Sequence, residues 1–130
     1  MKNLSLEATI KKMTSLTREG QIEWEPISLR RDNIQTNLYV ENIGHAMMAT
    51  VTVGGQTKSF SSYRYSYRFF TDADYDEYTI CENIQLDICD PISYNSRWSF
   101  PASPYISDLY DAAIIQSEGI DKFINSFLEK

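Results

Sequence analysis

The chain predicts an α+β fold, with an antiparallel sheet of four or five strands, an N-terminal helix and a C-terminal helical pair, over residues 1–130 as one domain. Three patterns predict it. Apolar side chains recur every three or four positions near both ends, they alternate with period two through the middle, and Gly, Pro and Asp separate the alternating stretches. At 130 residues the chain has the length of one core, and 42% hydrophobic with 23% charged residues is ordinary globular composition.

The first helix spans Leu4 to Leu16, where Leu6, Ile10, Met13 and Leu16 fall on one side. Ser5 or Asn3 can cap it, Gly20 can end it, and Lys11, Lys12 and Arg18 suit its C-terminal half, where positive charge complements the helix dipole. Ile22 and Trp24 alternate with Gln21, Glu23 and Glu25, predicting a strand that stops at Pro26. Thr36–Val40 and His45–Val53 are rich in β-branched and apolar types, and Gly54 with Gly55 supplies a tight hairpin turn. Ser59–Phe70 alternates most cleanly, with Tyr63, Tyr65, Tyr67 and Phe69 on one face and Arg64, Ser66, Arg68 and Phe70 on the other. Helices are expected to cover the tyrosine face. After a polar break at Thr71–Asp76, Tyr78, Ile80, Ile84, Leu86 and Ile88 resume the alternation, and antiparallel pairing of sequence neighbours is the simplest topology. Asp90 and Pro91 end the run, and Ile92–Ala102 reads as a packed loop with room for one short strand. Ser103 followed by Pro104 opens a helix that runs towards Gln116. Gly119 interrupts it, and Phe123, Ile124, Phe127 and Leu128 form one side of a last helix.

Composition excludes several classes. No apolar run approaches the roughly 18 residues of a spanning helix, and Met1–Met13 lacks the apolar core of a secretory leader, so a cytoplasmic protein with no membrane partner is expected. Cys81 and Cys89 are evenly spaced; on one continuous strand they lie roughly 26 Å apart, far beyond disulfide reach. Two free thiols are expected. One His and two distant Cys make a poor zinc set, and no phosphate loop or nucleophile elbow accompanies His45, so neither a cofactor nor a catalytic centre is expected. Asp72, Asp74 and Asp76 match the first ligand positions of a calcium loop, but Glu77 stands where that loop needs Gly and Asn83 where it needs Glu. They read as a solvated acidic turn.

Helix, Gly20, Ile22 and Trp24 at the start, then Leu109, Tyr110, Gly119, Ile120, Asp121, Phe123 and Ile124 near the end, make a pattern that resembles a loose set of small bacterial proteins. Many of these are encoded near mobile elements, and none carries an assigned activity. The resemblance implies a bacterial or phage setting.

Charge is the feature above background. Asp72, Asp74, Asp76, Glu77, Glu82, Asp87 and Asp90 fall in one stretch without a single base, in a chain of net charge −6. Such a band can steer a basic protein into contact, and it repels nucleic acid despite the Tyr and Arg alternation of Tyr63–Arg68. The expectation is a non-enzymatic interaction protein that engages a basic protein partner, as an inhibitor or nucleic-acid mimic would, and acts as a monomer or homodimer. The alternative is a small-ligand or enzymatic domain that uses Tyr63, Tyr65 and Tyr67 as a pocket wall.

Overall fold

The computed structural model describes residues 5–72 and 74–130. Helix α1 (Leu6–Arg18) is followed by a five-stranded antiparallel meander, β1 (Glu25–Ile27), β2 (Tyr39–Val53), β3 (Gln56–Phe70), β4 (Tyr78–Cys89) and β5 (Ser96–Ser99), and then by α2 (Pro104–Ser117) and α3 (Ile120–Leu128). Strand order in the sheet equals order in the chain. The α+β class and its arrangement of elements are those the periodicities predict.

Local chemistry explains most boundaries. At the end of α1 the N–H of Gln21 bonds the carbonyl of Leu16 and that of Gly20 bonds Thr17, the paired bonds that close a helix on a left-handed residue. Ser5 precedes α1 without a side-chain cap, and Asn3 lies outside the described residues. Gly54 and Gly55 both adopt positive φ, 61° and 78°, and join β2 to β3 in two residues, the turn whose twist matches a hairpin. Ser103 accepts a bond from the N–H of Tyr105, and Pro104 sits at the first helical position.

Three expectations need correction. Ile22 and Trp24 are not in a strand; β1 begins at Glu25 and contains Pro26, tolerated because β1 is an edge strand. Their alternation reflects burial in the connector, where the Trp24 indole N–H donates to Thr17 Oγ1 at 3.0 Å and the Trp24 backbone N–H donates to Gln116 Oε1 at 2.6 Å. The two stretches read as β-rich, Thr36–Val40 and His45–Val53, are not two strands; β2 starts at Tyr39 and runs through Gly44 to Val53, with register shifts against β3 between Val40 and Asn42 and between Ile43 and Ala46.

The third correction concerns sidedness. Tyr63, Tyr65 and Tyr67 do share a face, but α1 and α2 cover the opposite one. There, Ile10 and Met13 of α1 and Leu109, Tyr110 and Ala113 of α2 pack on Met47, Ala49, Phe60 and Leu86. The reason lies in β4. On the helix-bearing face it presents Ile84, Leu86 and Ile88, whereas opposite the tyrosines it presents Cys81, Asn83, Gln85 and Asp87. An apolar helix surface offers those polar groups no partner. The tyrosine face is roofed instead by the β1–β2 connection, whose Leu29 and Ile34 pack with Ile27, Val40, Tyr63 and Tyr65. Asn33 pins that roof, donating to the Ser93 carbonyl at 3.0 Å and to Asn95 Oδ1 at 2.8 Å.

Candidate functional site

The seven acids do not form one band. Asp72, Asp74, Asp76 and Glu77 lie in the β3–β4 connection, at one end of the sheet, and Asp90 follows β4 at its other end. Glu82 is exposed on the helix-bearing face beside Arg64 and Ser107. Asp87 is on the opposite face and only 1% exposed, which keeps it out of any partner-binding surface, contrary to expectation. A strand of alternating sides divides what the linear sequence groups together.

Asp90 is engaged locally. Its Oδ1 accepts the N–H groups of Ile92 and Ser93, both at 2.8 Å, and its Oδ2 meets Arg97 at 2.6 Å. The Ser93 N–H, then Arg97 and the Ile92 N–H, hold this carboxyl well below the usual carboxylate range. It builds the β4–β5 turn.

The acids of the β3–β4 connection sit among aromatic side chains. Asp72 Oδ1 accepts the N–H groups of Asp76 at 2.9 Å and Glu77 at 3.3 Å, which fixes the turn, while Asp74, Asp76 and Glu77 remain exposed. Tyr75 is held at φ 60°, a left-handed conformation that a bulky residue rarely adopts, and is 69% exposed. Its ring meets the edge of Phe70 at a centroid distance of 4.9 Å, and Phe70 also contacts Tyr39 at 5.9 Å and Tyr78 at 5.6 Å. Arg68 lies over Tyr39 and Tyr78, 4.6 and 4.4 Å from their centroids, and forms a two-pronged pair with Glu41, Nε–Oε1 2.6 Å and Nη2–Oε2 3.2 Å. The Arg68 hydrogen bond holds the Glu41 carboxyl below its ordinary value.

This end of the sheet lies past the helical layer. On the helix-bearing face the core includes Phe60 of β3 and reaches Ile84 on β4, and Arg64 stacks on Tyr110 at its edge. Beyond that row Arg68, Phe70, Tyr78 and Ile80 occupy the same face, and Phe69 and Thr79 occupy the other. Tyr39, Phe69, Tyr75, Tyr78 and Ile80 are all exposed. Arg31 also lies over Tyr39, 5.6 Å from its centroid, so this aromatic end carries the turn acids Asp74, Asp76 and Glu77 beside Tyr75 and two arginines at Tyr39, of which Arg68 is paired with Glu41. The sequence contained its parts, but only the β2–β3 and β3–β4 registers bring Tyr39, Arg68, Phe70 and Tyr78 together.

The tyrosine wall is a core. Tyr63 and Tyr65 are 1% and 4% exposed, and Tyr67 is half-buried at the margin of the same cluster. Tyr63 donates to Asp87 Oδ2 at 2.7 Å, and Asn83 donates to Tyr65 Oη at 3.1 Å. Burial, and after it the Asp87 carboxylate, pushes the Tyr63 phenol far up. Asp87 is itself pushed up by burial, against the opposing pull of Tyr63, Ser99, Ser96 and Gln85, and its Oδ1 has no hydrogen-bond partner among the described residues.

Cys81 and Cys89 are both free and share the continuous strand β4. His45 Nε2 approaches Glu118 Oε2 at 3.8 Å, and both side chains face solvent. Among the described residues, no three His, Cys, Asp or Glu side chains gather where they could hold a metal ion, and no helix is long and apolar enough to cross a membrane. No family model, curated protein or solved structure matches this chain.

Proposed function

We propose that this chain is a non-enzymatic interaction protein that engages a basic protein through the aromatic, acidic end of its sheet. The observation that carries this reading is the β3–β4 connection, where Asp74, Asp76 and Glu77 surround the exposed, conformationally fixed Tyr75 without an intervening base. Aromatic side chains give contact area at small entropic cost, and the acids supply long-range attraction to a cationic surface. An inhibitor that occupies a partner's anion-binding groove is the form of this role that such a surface fits. Asp87, which is buried, and Asp90, at the other end of β4, have no part in it, and the pocket-wall alternative loses its support because Tyr63 and Tyr65 are packed beneath the chain's own β1–β2 connection.

The test is a kinetic comparison against basic proteins captured from the native host. Asp74→Lys/Asp76→Lys/Glu77→Lys should lower the association rate by about tenfold at low salt, since exposed charges act chiefly on encounter. Tyr75→Ala should mainly speed dissociation. Asp72 is left intact because it holds the turn. Equal rates and equal salt dependence for wild type and triple variant would refute the proposal.

A further inference from the structure

We infer that α3 is a self-association surface, its occupant the α3 of a second copy of this chain. None of its residues is buried, and its apolar side chains, Ile120, Phe123, Ile124, Phe127 and Leu128, range from 38% to 75% exposed. Their spacing of three and four places all five on one side of the helix. Phe123 and Phe127 stack on that side with centroids 6.3 Å apart.

Two physical arguments lead to a second copy. The first is area. Five such side chains expose on the order of 500 Å² of apolar surface, at the upper end of what a monomer usually leaves uncovered. At about 65% apolar, the character of homodimer interfaces, that corresponds to a patch of about 800 Å², which is what each partner of a standard interface contributes. The contact of α3 with α2 leaves all five of these apolar side chains exposed. The second argument is charge. The polar residues of α3 include Asp121 and Lys122 at its start, with Glu129 and Lys130 just beyond its end, two of each sign. An anionic membrane favours a strongly basic polar face and a cationic partner favours an acidic one; this face is neither. A neutral surface meets its own copy without repulsion, as a two-fold interface requires.

Sedimentation equilibrium of the full chain tests this. Wild type should show a monomer–dimer equilibrium below about 100 μM. Phe123→Glu/Phe127→Glu should raise the dissociation constant by about 100-fold or more while near-ultraviolet circular dichroism stays unchanged. Lys122→Glu, on the polar side, should leave the dimer intact. A wild type that stays monomeric at that concentration would overturn the inference, as would a dimer that survives the double substitution. Co-sedimentation of the wild type with phosphatidylserine vesicles, abolished by the same substitution, would also overturn it, assigning the face to a lipid surface.

Discussion

Asp87 shows most directly how one position departs from its surroundings in the sequence. It belongs to a run of acids, yet the parity of β4 turns it inward with Asn83, Gln85 and Cys89, while Glu82 turns the other way. Burial raises its pKa, so the folded chain retains a proton that the unfolded chain releases near the ordinary value of 3.8. Stability from this site is therefore fully present below that ordinary value and is lost as pH rises through the folded one. Asp90 has the opposite sign, contributing above its ordinary range and losing that contribution as pH falls. Asp87→Asn should flatten the decline in stability as pH rises above the ordinary carboxylate value of 3.8, measured as urea midpoints across a pH series. Tyr63→Phe should cost about 1–3 kcal/mol by leaving the buried carboxyl without its phenol donor. An unchanged pH profile in the Asn variant would assign the decline to other groups. The parity of Asp87 could be read beforehand, because strand alternation was plain from Tyr78 to Ile88; its burial could not, since the groups around it, Tyr63 on β3 and Ser96 and Ser99 on β5, are brought there by the fold.

Elements with their own chemical punctuation were legible. The glycine pair of the β2–β3 turn, Gly20 after α1 and the Ser103–Pro104 start of α2 each act within a few residues, so local sequence determines them. The cap can be weighed: Ser103→Ala should lower stability by about 1 kcal/mol in denaturant unfolding, with the slope unchanged. What local sequence leaves open is which face of a two-sided sheet the helices choose. Tyr63, Tyr65 and Tyr67 look like the apolar face when β3 is taken alone. The choice is made one strand away, where Ile84, Leu86 and Ile88 pack with Leu109 and Ala113 while polar positions of β4 bond the tyrosine hydroxyls, Asp87 accepting from Tyr63 and Asn83 donating to Tyr65. The β1 assignment failed for a related reason, because Ile22 and Trp24 alternate as packing anchors without a strand ladder.

For the molecule as a whole, the acidic end of the sheet was legible as composition and illegible as a surface. Linear clustering joined residues that the fold sends to two ends and two faces, and only the turn acids remain together. The exposed side of α3 was visible as a pattern at Phe123, Ile124, Phe127 and Leu128, although nothing in that pattern tells a core helix from a docking one. The meander has one further consequence, for the order of events in folding. β2 and β3 are joined by two residues, whereas contact between α1 and α2 closes roughly 90 residues, which at about 0.6 kcal/mol per doubling costs on the order of 3 kcal/mol more. The hairpin should therefore form early, with a φ-value of about 0.5 or more for Phe60→Leu, and α1 late, with about 0–0.3 for Met13→Ala, read from folding and unfolding rates of the two variants. On that account α1 is a clasp: weakening it should leave the speed of assembly nearly untouched and shorten the lifetime of the assembled protein.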